Sequence, residues 1–91
     1  MFNAFTASIR GRVQGVGFRY FVERLAGELN LTGWVRNKPD GSVELLAKGE
    51  VSALERLLQR LEEGPIGSRV DKIDPQWLQE PQNFKGFEIR G

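Results

Sequence analysis

Phe5-Thr6-Ala7-Ser8-Ile9-Arg10-Gly11-Arg12-Val13-Gln14-Gly15-Val16-Gly17-Phe18-Arg19-Tyr20-Phe21-Val22 holds two hydrophobic periods joined by glycines. Phe5, Ala7 and Ile9 alternate with Thr6, Ser8 and Arg10, the pattern of a strand with one buried face. From Phe18 the spacing lengthens. Phe18, Phe21, Val22, Leu25, Ala26 and Leu29 fall on one face of a helix, with Arg24 and Glu28 on the other. The stretch from Gly11 to Gly17 between them reads as a turn, so this segment predicts strand, glycine-rich turn and helix in order.

Working outward, the helix is expected to stop near Asn30, because Thr32-Gly33 does not comfortably extend it. Trp34-Val35-Arg36-Asn37 begins a second strand. Lys38-Pro39-Asp40-Gly41 is a hairpin signal, with proline presetting one dihedral and glycine accepting the positive φ that closes the turn. Val43, Leu45 and Ala47 then alternate with Glu44, Leu46 and Lys48. Leu46 interrupts the polar side, so that side is expected to be partly covered. Gly49-Glu50 breaks the strand, and a helix follows from Val51-Ser52 with Ser52 or Glu50 near its cap. Leu54, Leu57, Leu58 and Leu61 form its apolar face, and Gly64-Pro65 ends it. Val70 to Trp77 is a weaker strand whose period slips between Val70 and Ile73. Pro75 cannot donate a ladder hydrogen bond, which places this strand on an edge. Phe84, Phe87 and Ile89 close the chain as a short strand, with Gly86 disturbing the alternation. The phenylalanines and Trp34 are expected in the core. The order strand, helix, strand, strand, helix, strand, strand predicts an α+β two-layer sandwich, a twisted and mainly antiparallel sheet with both helices on one face.

Ninety-one residues make one domain, residues 1–91. A chain this short buries roughly two-thirds of its unfolded surface, so a functional site is expected to be shallow and built at an edge. Thirteen basic and twelve acidic side chains nearly balance. Residues 1–40 carry six basic and three acidic groups, the remainder seven and nine. That mild bias suits a small anion and is too weak for nucleic acid. There is no cysteine, which excludes disulfides and thiol chemistry, and no histidine, the commonest general base and transition-metal ligand. Carboxylates are scattered, so no metal site is expected. No signal peptide and no run of about 18 apolar residues is evident, which points to a soluble, cytoplasmic chain without a membrane partner. Asn30-Leu31-Thr32 fits a glycosylation sequon and reads as chance in that setting.

Chemistry is expected where the topology converges. A strand–helix–strand crossover leaves its two strands parallel, so the loop after the first strand and the hairpin after the second lie at one end of the sheet. Arg19 and Asn37 could therefore face one site. Gly15 and Gly17 let the backbone curve and an anion approach closely. Successive N–H groups in such a curve form an anion nest that runs into a helix N-terminus. Arg19 adds a planar fork of donors that matches phosphate oxygens. Each feature alone also fits an ordinary turn or a solvated side chain; together they predict a phosphoryl grip in Gln14-Gly15-Val16-Gly17-Phe18-Arg19. The third glycine of a dinucleotide fingerprint and the Lys-Ser or Lys-Thr of a Walker loop are missing. Tyr20 and Trp77 are not arranged as an RNA-stacking platform.

Gly11-Arg12-Val13-Gln14-Gly15-Val16-Gly17-Phe18-Arg19 resembles the first signature of the acylphosphatases, and Gly33-Trp34-Val35-Arg36-Asn37, with Gly41, Val43 and Gly49, resembles the second. Gly86-Phe87-Glu88-Ile89-Arg90 is similar to that family's terminus, so the resemblance covers essentially the whole chain. It implies a ferredoxin-like βαββαβ sandwich with a final strand. It implies hydrolysis of the carboxyl–phosphate bond of acyl phosphates, without metal, cofactor or phosphoenzyme. By motif position Arg19 corresponds to the phosphate-binding arginine and Asn37 to the water-orienting asparagine. The amides of Gly15, Val16, Gly17, Phe18 and Arg19 correspond to the phosphate cradle. Pro75 departs from the pattern, remote in sequence from these positions. The expected protein is a monomer acting on a small acyl phosphate. A non-enzymatic module on the same fold and an RNA-binding sandwich are the competing readings.

Overall fold

The alternation around Phe5 becomes β1 (Ala4–Arg12), in which Phe5, Ala7 and Ile9 are buried and Thr6 and Ser8 are half-buried. The computed structural model describes residues 2–91. The helical spacing becomes α1 (Phe18–Glu28), which buries Phe18, Val22, Leu25 and Ala26. Asn30 follows with φ 57°, a left-handed residue that cannot continue the helix. β2 (Thr32–Asn37) starts at Thr32 rather than Trp34, and the hairpin leads into β3 (Val43–Lys48). α2 (Val51–Glu63) buries Leu54, Leu57 and Leu61. Glu50 takes its cap position without a side-chain hydrogen bond, and Gly64 ends it. β4 (Arg69–Leu78) and β5 (Phe87–Arg90) complete the chain, leaving Phe84 outside the last strand.

The five strands lie in the order β4-β1-β3-β2-β5. β3 pairs antiparallel with both β1 and β2, so β1 and β2 run the same way without touching. β5 joins β2 in parallel, and β4 joins β1 antiparallel at the other edge, where Pro75 lies opposite Ala7. One apolar cluster unites Phe5, Ile9, Val35 and Leu45 of the sheet with Val22 and Leu25 of α1 and Leu54, Leu57 and Leu61 of α2, so both helices cover the same face.

Two details follow from register. β4 pairs Arg10 with Lys72 but Gly11 with Val70, so Asp71 is an extra residue in a β-bulge. The bulge restores Val70 and Ile73 to one face, where both pack on the core. Gly11 faces it because a Cβ there would lie 2.1 Å from the Arg69 carbonyl oxygen.

The expectation that Trp34 fills the core is overturned. Gly33 and Val35 are buried on the helix side, and the two-residue period turns Trp34 to the opposite face. There the guanidinium groups of Arg36 and Arg90, which face each other in the register of β2 and β5, lie 5.5 and 5.1 Å from its ring centroid. Trp34 and Thr6 flank Leu46 in the register, and Leu46 is only 7% exposed, so the open face is partly covered. The phenylalanines divide. Phe5 and Phe18 are fully buried, Phe21 and Phe87 pack on the core from its margin, and Phe2 is exposed beside Trp77.

Candidate active site

Because β1 and β2 run the same way, the loop after Arg12 and the hairpin after Asn37 meet at one end of the sheet. Between them is a cavity of about 210 Å³ lined by Val13, Gly15, Gly17, Phe18, Arg19, Tyr20 and Asn37. No carboxylate lines it, so an anion there meets no repelling side chain.

The backbone supplies most of its polarity. Gly17 occupies the cap position of α1 with φ 78° and ψ 19°; no side chain caps the helix and no acidic residue sits in its first turn. The first amide of the segment to donate within the chain is Phe21 N–H, to the Gly17 carbonyl at 3.0 Å. Among the described residues the N–H groups of Gly15, Val16, Gly17, Phe18, Arg19 and Tyr20 find no chain acceptor. Such orphan donors carry the positive end of the helix dipole and favour a bound anion. The start of α2 differs, because Glu50 stands there with its own negative charge.

Gly15 and Gly17 have φ 75° and 78°, and a Cβ added to either meets nothing within 4 Å. Backbone handedness therefore restricts these positions, while the space before them stays open to a ligand. Gly17→Ala is expected to lower unfolding free energy by about 1–2 kcal/mol through left-handed strain alone, as read by urea denaturation.

The side chains divide between cavity and core. Arg19 is half-buried and, among the described residues, has no acidic partner. A cation in a first helical turn is disfavoured by the dipole, so its position is not explained by helix stability. Asn37 is half-buried, and its Oδ1 is buried without a hydrogen-bond partner. Phe18 is 1% exposed and packs edge-on against Phe21, so this residue offers the cavity little beyond its backbone. Val16 does not line the cavity; its side chain packs on the core. The structure thus brings Gly15, Gly17, Phe18, Arg19 and Asn37 together, and leaves Val16 only its amide to offer. Two lining residues were missed by sequence reasoning, Val13 and Tyr20. The helical period places Tyr20 off the buried face, and it is 65% exposed at the rim beside Arg19.

A larger hollow of about 480 Å³ lies at the start of β2 and β5, lined by Gly33, Gln82, Asn83, Phe84, Lys85, Gly86, Phe87 and Glu88. It has no helix N-terminus and no arginine, so it is the smaller cavity that has the chemistry to hold an anion.

Residues 5–89 match the acylphosphatase family profile. The chain belongs to the acylphosphatase family. It is 51% identical over 85 residues to an acylphosphatase of Salinibacter ruber, an alignment covering 93% of this chain and 90% of that relative. The crystal structure of acylphosphatase from Bacillus subtilis superposes with a TM-score of 0.94 at 38% identity, covering 97% of this chain and 98% of that one. Full-length HypF, in its phosphate- and nucleotide-bound form, contains a similar unit: TM-score 0.87, 31% identity, 100% of this chain and 12% of that one. Acylphosphatase activity is hydrolysis of the carboxyl–phosphate bond of an acyl phosphate to a carboxylate and inorganic phosphate, and this chain is a hydrolase of that class.

Proposed function

We propose that the acyl phosphate binds with its phosphoryl oxygens on the backbone N–H groups from Gly15 to Arg19 and on the Arg19 guanidinium. The Asn37 side-chain amide hydrogen-bonds a water molecule and holds it in line with the bond from phosphorus to the carboxylate oxygen. The water oxygen bonds to phosphorus as the carboxylate leaves with the bonding electron pair. Neither arginine nor asparagine is a competent base at neutral pH, so the water's proton passes to an oxygen of the phosphoryl group. No metal, cofactor or phosphoenzyme takes part. The carboxylate is a good leaving group, and phosphoryl transfer then requires mainly position and charge stabilisation.

The observation that carries this reading, made among the described residues, is the run of unsatisfied N–H groups beside an unpaired arginine, in a cavity without a carboxylate. Hydrolysis of benzoyl phosphate in excess chelator tests it. Turnover well above the buffer control, unchanged by the chelator, is the expected result. A rate equal to the control would reduce the chain to a phosphate-binding module, and a rate restored only by a divalent cation would refute independence from metal. We also propose that the enzyme works as a monomer in the cytoplasm. The scatter of its exposed large apolar side chains, Phe2, Tyr20, Val51 and Ile66, supports the monomer. Among the described residues no helix is long and apolar enough to cross a membrane.

A further inference from the structure

Gln14 lies one residue before the cradle, and its side chain reaches away from it. Nε2 donates to the carbonyl oxygens of Lys38 at 2.8 Å and Ser42 at 2.9 Å, in a partly buried position. Both partners are carbonyl oxygens, so only the nitrogen of the amide fits between them, and both of its hydrogens are used. Lys38 and Ser42 are the two ends of the β2–β3 connection and are themselves joined by Lys38 N–H to Ser42 carbonyl at 2.9 Å. Gln14 therefore clasps the mouth of the hairpin.

The neighbours of the clasp give it meaning. Gln14 precedes Gly15, the first residue of the cradle, and Lys38 follows Asn37. β1 and β2 are not hydrogen-bonded to each other, since β3 lies between them. The other polar link across this gap, Arg10 to Asp40 at 3.4 Å, is exposed and weak. Asp40 itself is spent within the turn. The Ser42 hydroxyl and then the Ser42 N–H donate to it at 2.6 and 2.9 Å and hold its carboxyl below the usual range.

We infer that Gln14 is a positioning residue that sets the separation between the phosphate cradle and the Asn37 amide. The inference rests on the roles proposed for the cradle and Asn37. Gln14 touches neither phosphate nor water; it acts through Asn37. Losing the clasp leaves phosphate binding intact and lets the water drift from its line of attack, and displacements of about 1 Å cost up to a hundredfold in rate.

A double-mutant cycle on benzoyl phosphate hydrolysis tests this. Gln14→Met keeps length without donors and is expected to lower kcat about tenfold, with KM and inhibition by inorganic phosphate within twofold of wild type. In an Asn37→Ala background the same substitution is expected to change kcat less than twofold, because there is no water-holding group left to misplace. An equal loss in both backgrounds, or a loss confined to KM, would overturn the inference. Gln14→Lys restores donors to the two carbonyls and is expected to stay within threefold of wild-type kcat. If the Met variant does not fold, this variant decides: folded and within threefold supports the clasp, folded and tenfold slower refutes it. Arg10→Ala, which breaks the exposed link, should leave kcat unchanged. Should Asn37→Ala alone match wild type, the water-holding role fails, a result distinct from failure of the clasp.

Discussion

Arg19→Lys is expected to lower kcat/KM for benzoyl phosphate by about a hundredfold or more, with circular dichroism and melting temperature close to wild type. The activity loss follows from shape rather than charge. Lysine keeps the positive charge but loses the planar pair of donors that meets two phosphoryl oxygens at once. A single preorganised donor to an oxyanion is worth about 3 kcal/mol in comparable sites. The retained fold follows from the surroundings of Arg19, which has no acidic partner among the described residues and is not part of the apolar cluster. Arg19→Gln sharpens the contrast. Removing a cation from the first turn of α1 relieves a charge–dipole conflict of about 0.3–1 kcal/mol, so that variant is expected to be less active and slightly more stable. Inorganic phosphate should inhibit both variants less well than wild type. A Lys variant with wild-type kcat/KM would remove Arg19 from the mechanism.

Asn37→Ala is expected to lower kcat by about a hundredfold with KM and phosphate inhibition nearly unchanged. Here the loss concerns the nucleophile. Among the described residues Asn37 Oδ1 has no partner, so truncating the side chain breaks no hydrogen bond seen there. Stability should hold within about 0.5 kcal/mol, the range of substitutions that disturb no internal contact. On the proposed roles the two variants separate two functions, binding of the phosphoryl group by Arg19 and orientation of the attacking water by Asn37. Steady-state kinetics with phosphate as a competing ligand read both. If Asn37→Ala weakened phosphate binding as strongly as Arg19→Lys, the division of labour would be wrong.

The parts of the molecule legible in sequence are those where one local rule acts without competition. The change of period at Phe18 marked the start of α1, because the spacing of its apolar residues and the glycine before it agree. The crossover argument placed Arg19 and Asn37 at one end of the sheet, because chain direction alone decides it. Trp34 was misplaced by size. A large aromatic looks like core, yet Gly33 and Val35 had already fixed the parity of β2. The slip between Val70 and Ile73 was visible but carried no meaning until the register at Gly11 revealed the bulge. Phe84 fell outside β5 because an apolar residue near a short strand has no period to obey. Gln14 was read as the first residue of the phosphoryl grip, and its bonds to the hairpin had no signal. A polar residue in a loop announces nothing until another loop, 24 residues away, closes on it.

The sheet order has a consequence for how this site is sized. β3 contributes no side chain to the cavity, yet it is the spacer between the strands that carry the cradle and the asparagine. Neighbouring strands stand about 4.8 Å apart, so the ends of β1 and β2 that lead into the glycine loop and the hairpin are held about 9.6 Å apart by main-chain ladders. That width is quantised: it changes by a whole strand or not at all. Side-chain substitutions in β3 leave this coarse gauge in place, and fine adjustment falls to the loops. A fold this small thereby obtains a measured gap from its backbone rather than from a deep core.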